Sequence, residues 1–554
     1  MLTAAELDTL MQSPREPGEP VVRACVKTGV VAEEKLLQGL AKALHLDFTR
    51  LSEQEIDFAV CARVPTKAVF QYNVMPMRME GGCLLVATND PFNLPMVECL
   101  RMASKSRIRL ALSPQADIQK ALKRYYGVGA ETLDELMQKN VVDLDMTAGA
   151  VAKQDVASDD QEASVVKFVN QVIAEAYKER STDIHFEPME NDLRIRYRVD
   201  GVLHQVPVPA QLKRFQAAII SRIKVMASMD IAERRLPQDG RINVRSGGSE
   251  IDVRVSTIPT PYGESVSLRL LMRNSIFLGL DKLGLYDDDA KIVRKLVELP
   301  HGIILVTGPT GSGKSTSLYA FLSTINSIDQ RIITIEEPIE YELPGVNQMQ
   351  VRSDIGLTFA SGLRHILRQD PDVIMVGEIR DLETAEISIR AALTGHLVFS
   401  TLHTNDAAGA VTRLLDMGIE PFLVSSSVEA IIAQRLVRTL CSSCKTAYTP
   451  EPELLKEVGY PVQDGTTFYR ARGCEECRFT GFRGRMGIYE ILVMRENLRS
   501  LVIERAPSSA IKQAGCASGM RTLRDDGWAK VRAGLTTVEE VARVTHEDEA
   551  LAAS

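Results

Sequence analysis

The sequence predicts a multidomain α/β protein, and three observations carry that expectation. A chain of 554 residues is longer than one ordinary hydrophobic core can organise, so three or four domains are expected. Strand-like and helix-like segments alternate from near Leu283 to about residue 435, the pattern of a parallel sheet covered by helices. Between Gly127 and Ala163 the composition turns polar and acidic, as in "KQDVASDDQEAS", and reads as a flexible linker.

Apolar residues make up 45% and charged residues 25% of the chain. With no apolar run long enough to span a bilayer and no basic-then-apolar start, a cytoplasmic location is expected. A net charge of -8 argues against a general nucleic-acid binder and points to proteins or small anions as partners. Nine cysteines, an odd number, speak against a disulfide framework.

The elements follow in order. "VVRACVKTGVVAEEKLLQGLAKAL" (Val21 to Leu44) reads as two short helices separated at Gly29. The strand-like "CLLVATNDP" from Cys83 and a helix at Ile118 to Tyr126 complete a small α/β lobe, residues 1–127. The linker takes 128–162, and a second α/β domain 163–282. That domain contains strand-like "DLRIRYRVDGVL" (Asp192 to Leu203), a helix near Phe215 to Ala227 and "EIDVRVSTIPTPYGESVSLRLL" (Glu250 to Leu271). Residues 283–554 hold the alternating sheet, a cysteine module at 437–485 and a helical tail from 495.

Chemistry concentrates in the last of these domains. "GIILVTGPTGSGKSTSLYAFL" puts a strand before Gly308 and a helix after Lys314. Gly308, Gly313, Lys314 and Ser315 satisfy G-x-x-x-x-G-K-[ST], so Gly308, Pro309, Thr310, Gly311, Ser312, Gly313, Lys314, Ser315 and Thr316 should surround phosphate oxygens at a helix N-terminus. Lys314 should reach the β- and γ-phosphates, and Ser315 should ligate Mg²⁺. Phosphoryl transfer to water also needs a carboxylate to orient the water and a positive group to stabilise the transition state. "RIITIEEPIEYEL" offers Glu336, Glu337 and Glu340 just past its strand, where α/β sheets bind ligands; a solvated acidic loop is the plainer alternative. In "LRQDPDVIMVGEIRD" an apolar strand runs directly into Gly377 and Glu378, which suits a carboxylate beside Mg²⁺. Both glutamate-bearing strands are expected to flank the phosphate-loop strand. "TGHLVFSTLHTNDAAGAV" is a further strand flanked by His396 and His403, read either as charge sensors or as structural hydrogen-bonders.

Two other clusters stand out. Arg194, Arg196 and Arg198 of "RIRYR" share one strand face, with Arg241, Arg254 and Arg269 following. They are balanced by Asp183, Glu187, Asp192 and Asp252, or they face an anion. Cys441-x2-Cys444 and Cys474-x2-Cys477 have the ligand pattern of a closed, structural tetrathiolate zinc site.

The boxes "GPTGSGKST", "ITIEEPIE", "DVIMVGEIRD" and "TGHLVFSTLHTNDA", in this order and spacing, resemble Walker A, Asp box, Walker B and His box of the type II secretion and type IV pilus assembly ATPases, the GspE/PilB family. The resemblance runs from about Ala163 to Thr545. It implies a RecA-like P-loop ATPase core and a preceding PAS-like α/β domain whose arginines complete the nucleotide site, with Arg241 and Arg254 leading and Arg196 behind them. It further implies ATP, Mg²⁺ and Zn²⁺ as cofactors, a homo-hexamer, and inner-membrane platform and docking proteins as partners. The Asp box departs from the family, Glu337 standing where an aspartate is usual. The paired cysteines and long N-terminal region resemble assembly rather than retraction motors. The first helical pair resembles a docking domain that binds cyclic di-GMP in some relatives, but Pro20-Val21-Val22 and Ala43 replace the Arg-Leu-Gly start and glutamine of the binding version, which argues against that ligand here. A docking scaffold with little turnover and a nucleic-acid-processing motor are the alternative functions.

Overall fold

The computed structural model describes residues 21–27, 29, 31–51, 54, 56–61, 63–127, 156–246, 249–272, 279–460, 466–474 and 476–545. The chain forms two compact units, Met1–Leu271 and Met272–Ser554.

Among the described residues the first unit contains two sheets. The N-terminal lobe has four strands in the order Asp47–Phe48, Arg107–Leu112, Cys83–Thr88, Met75–Glu80. The expected helical pair is present as Val21–Lys27 and Glu33–Leu44, and Gly29 between them has φ 70°. Of the expected linker, residues 128–155 lie outside the described residues. Its last part is not linker, because the helix Val156–Lys178 already begins there. That helix carries Val165, Phe168, Val169, Val172 and Ile173 at helical spacing into the core of the second sheet.

This second sheet runs Val202–Val206, Leu193–Val199, Ser181–Pro188, Gly263–Met272, Ser249–Thr260, Gln238–Ser246. "DLRIRYRVDGVL" is therefore a hairpin rather than one strand. Asp200 and Gly201, at φ 49° and 85°, make the two-residue Asp-Gly turn that right-twisted strands favour. "EIDVRVSTIPTPYGESVSLRLL" is likewise divided between two strands.

In the second unit a seven-stranded sheet runs Asn347–Gln350, Ile332–Glu336, Val373–Val376, Leu397–Leu402, Gly302–Thr307, Val428–Leu440, Phe482–Val493. All neighbours are parallel except the last pair. Gly302–Thr307, Val373–Val376 and Leu397–Leu402 are buried at every residue, as strands covered on both faces must be, and so lack polar alternation. Each buried Val, Leu or Ile there stabilises the sheet by about 1.5–3 kcal/mol.

The strand order corrects one expectation. The phosphate-loop strand is flanked by Leu397–Leu402 and Val428–Leu440, so the strand before Glu378 lies one place further out and the strand before Glu340 two. The final antiparallel partner is an addition to the expected parallel sheet. Val428–Leu440 and Phe482–Val493 form a long ribbon, with the four cysteines and a small two-stranded sheet, Lys445–Tyr448 with Phe468–Ala471, at its far end. The tail is helical from Glu496 to Thr545; residues 546–554 lie outside the described residues.

Candidate functional site

The strand Gly302–Thr307 delivers the chain to Gly308, and the helix Lys314–Ile325 takes it away with Gly313 as N-cap. Gly308 has φ 149°, and a Cβ there would lie 2.5 Å from the carbonyl oxygen of Gln434, so only glycine fits. Lys314 Nζ donates to Gly308 O at 2.7 Å and Pro309 O at 3.1 Å. Burial pulls its ammonium down to about 8, Glu378 opposing and Arg435 reinforcing that drop. Ser315 and Thr316 are exposed in the helix's first turn, with the free face a phosphate and its cation require.

Glu378 stands where the Val373–Val376 strand ends. A Cβ on the preceding Gly377 would lie 3.3 Å from Glu336 Cα and from Ile335 O, a tight approach to the neighbouring strand's backbone. Each oxygen of the Glu378 carboxylate has a partner, Oε1 accepting from Arg380 Nη2 at 2.7 Å and Oε2 lying 3.1 Å from His403 Nε2, which leaves lone pairs open for a cation. Burial raises this carboxyl, but Arg380 and His403 outweigh it and leave it below the usual carboxylate range. His403 Nδ1 in turn lies 3.5 Å from Lys314 Nζ, so the imidazole stands between the loop's lysine and Glu378. The inserted strand makes this possible: Thr401 Oγ1 donates to Gly377 O at 2.7 Å on one side, and Thr404 N donates to Thr307 Oγ1 at 2.9 Å on the other.

Glu336 departs from its expected setting. It is the last strand residue rather than a loop residue, 4% exposed, and its carboxylate accepts from Thr334 at 2.6 Å, Gln348 at 3.0 Å and the Tyr319 hydroxyl. Burial raises its carboxyl despite these donors. Glu340 lies beyond it on the loop, where its backbone N–H donates to the Tyr319 hydroxyl at 3.2 Å. Glu337 is exposed and pairs with Arg380 Nη1 at 3.0 Å.

His396 is the clearest correction. It precedes the strand that His403 follows, so the two stand at opposite ends of the sheet, about 23 Å apart at 3.3 Å per residue. Its Nδ1 lies 2.9 Å from Ala391 O, on the side away from the phosphate loop.

The arginines lie in the first unit. Glu187 holds Arg194 at 2.8 Å and also Arg196, while Asp183 holds Arg198 at 3.7 Å and Arg269 at 3.1 Å. Balance by local carboxylates therefore accounts for these four. Arg241 and Arg254 sit directly opposite each other on adjacent antiparallel strands, an arrangement unfavourable for like charges.

Sulfur atoms of Cys441, Cys444, Cys474 and Cys477 all lie within 4.8 Å of one another. Three of the distances are 3.7–3.8 Å, matching the edge of about 3.8 Å for a tetrahedron whose centre lies ~2.3 Å from each sulfur. Backbone N–H groups of Cys474 and Gly481 donate to Cys477 Sγ at 3.1 and 3.2 Å, stabilising a thiolate. The donor set thus fits a zinc ion.

Sequence reasoning missed Gln434, Arg435, Tyr319 and Arg380. Gln434 accepts from Ser317 at 2.8 Å and backs the phosphate loop; Arg435 binds Asn405 beside it. Only Arg380 carries a usable signal in the sequence, two residues from Glu378 in "GEIRD".

A phosphate loop on a parallel sheet, faced by a carboxylate and an imidazole, defines a P-loop nucleotide-binding protein. The chain belongs to the type II/IV secretion system protein family, whose model matches residues 158–543. Residues 44–132 match the MshEN domain. The type IV pilus assembly ATPase PilB of Myxococcus xanthus is 42% identical over 99% of this chain and 97% of its own. The type II secretion system protein E of Aeromonas hydrophila is 49% identical over 91% of this chain and 100% of its own. Among solved structures, the Legionella pneumophila ATPase DotB, 22% identical, shares the fold over 69% of this chain and 96% of its own, with a TM-score of 0.52.

Proposed function

We propose that the protein is an ATPase that drives assembly of a type IV pilus or a type II secretion pseudopilus, working as a homo-hexamer on inner-membrane platform and docking proteins. The observation that carries the ATPase reading is the contact series Lys314, His403, Glu378, which joins phosphate binding to the carboxylate end of the sheet, and the likeness to PilB and to type II secretion system protein E supports the assembly role. Loop N–H groups and Lys314 hold the triphosphate, and Ser315 and Glu378 would hold Mg²⁺, which when bound neutralises phosphate charge. Glu340 orients the attacking water from the loop that follows Ile332–Glu336. Glu336 positions that loop through Tyr319. The four cysteines would hold zinc through all four sulfurs, leaving no ligand position for a reacting water, which makes the module structural.

We read the six-stranded sheet and its helices as the PAS-like domain, and Arg241 and Arg254 as the positive groups offered to a neighbouring subunit's nucleotide. The N-terminal lobe is read as a protein-docking domain, with titration of cyclic di-GMP expected to give no saturable binding. ATP turnover should be substantial, insensitive to DNA, and lost in Lys314→Ala with weakened triphosphate binding. Turnover near zero would favour a docking scaffold, and strong stimulation by DNA a nucleic-acid motor. Mixing Arg241→Ala with Lys314→Ala subunits should restore activity if the arginine acts between subunits.

A further inference from the structure

Arg380 spans two acidic strand ends. One guanidinium nitrogen lies 2.7 Å from Glu378 Oε1, the other 3.0 Å from Glu337 Oε2. Those carboxylates come from different segments: Glu378 follows Val373–Val376, and Glu337 opens the loop that continues to Glu340. On its far side the same loop is fastened by the Tyr319 hydroxyl, from the helix that follows the phosphate loop. The planar guanidinium presents donors in a fixed fork, so it can set a distance between two carboxylates where an ammonium could only neutralise one. Side-chain length at position 337 matters to the span. An aspartate would end about 1.5 Å short, outside hydrogen-bond range of Arg380 unless the loop moved.

We infer that Arg380 is a positioning residue for the proposed ATPase reaction, fastening the Glu337 to Glu340 loop to the end of the Val373–Val376 strand and so fixing Glu340 relative to Glu378. The inference rests on the ATPase reading above. Because Arg380 is 59% exposed and exposed ion pairs contribute little to stability, its loss should act on turnover rather than on folding.

The test is steady-state ATP hydrolysis by the full chain, with melting temperature measured on each variant. Arg380→Ala should lower kcat about 10- to 30-fold with KM for ATP within about threefold and melting within about 2 °C. Glu337→Ala should do much the same. The double variant should be no slower than the slower single within about twofold, because both remove one fastening. Arg380→Lys should retain intermediate turnover, and Glu337→Asp should lose nearly as much as Glu337→Ala. An Arg380→Ala protein with kcat within twofold of wild type, or single effects that multiply in the double, would overturn the role of Arg380. A wild-type chain that does not hydrolyse ATP would instead overturn the reading beneath it.

Discussion

His403 Nε2 lies 3.1 Å from Glu378 Oε2. The same ring's Nδ1 faces Lys314 at 3.5 Å, so one imidazole touches both the lysine of the glycine-rich loop and the carboxylate beside it. Removing it should separate those events. His403→Ala is expected to lower kcat at least roughly 10²-fold with a smaller change in KM, the lower end of the range for a lost proton-handling group. His396→Ala, at the other end of the strand, should keep kcat within about twofold. Steady-state ATPase assays on both variants check the contrast, and equal losses would return His396 to the site.

The two glutamates should separate by their response to metal. Glu340→Gln should bind ATP and assemble normally but turn over at least roughly 10²-fold more slowly, as expected for a lost general base. Glu378→Gln should also be impaired, and raised Mg²⁺ should partly rescue it. Titrating Mg²⁺ against turnover for both variants decides the assignment; rescue of Glu340→Gln alone would exchange the roles.

Metal analysis should find about one zinc per chain, and Cys474→Ser should lose it together with the fold of the 441 to 477 module. Limited proteolysis reads the second outcome. A zinc-free chain that resists cleavage there would show that the sulfurs pack without metal.

Acid should loosen the tail. Burial would raise the Glu540 carboxyl, but Arg438 and Arg543 outweigh it and hold it at about 2, against an ordinary 4.5. With its folded value depressed, the group's contribution, roughly 3 kcal/mol, is complete above pH 4.5 and is lost as pH falls towards 2. Glu540→Gln should lower stability by about that amount at neutral pH and show a flatter decline between pH 4.5 and 2. Denaturant titrations across that range measure it.

Local chemistry was legible in the sequence and spatial order was not. "GPTGSGKST" announces its loop because strand, glycines and helix are contiguous, and the cysteine pairs announce theirs because two-residue spacing places sulfurs together. No local pattern states that Leu397–Leu402 separates the phosphate-loop strand from Val373–Val376, since fully buried parallel strands look alike. Nor does an acidic run reveal that Glu336 turns inward to Tyr319 while Glu337 turns outward to Arg380. The histidines were separable in principle, because the apolar strand between them spans the sheet. The Asp200-Gly201 turn was also open to recognition, yet the unbroken hydrophobic alternation around it reads as one strand.

The ribbon of Val428–Leu440 and Phe482–Val493 joins two places that chemistry alone would keep apart. Gln434 and Arg435 brace the phosphate loop near its middle, while Cys441 lies about 20 Å further along at 3.3 Å per residue. Two paired strands resist bending far better than one, and the cysteine cluster prevents their ends from splaying. The same strand is also tied to the tail, Arg438 to Glu540 and the Leu440 N–H to Leu535 O, so phosphate loop, cysteine cluster and tail helices hang on one continuous frame.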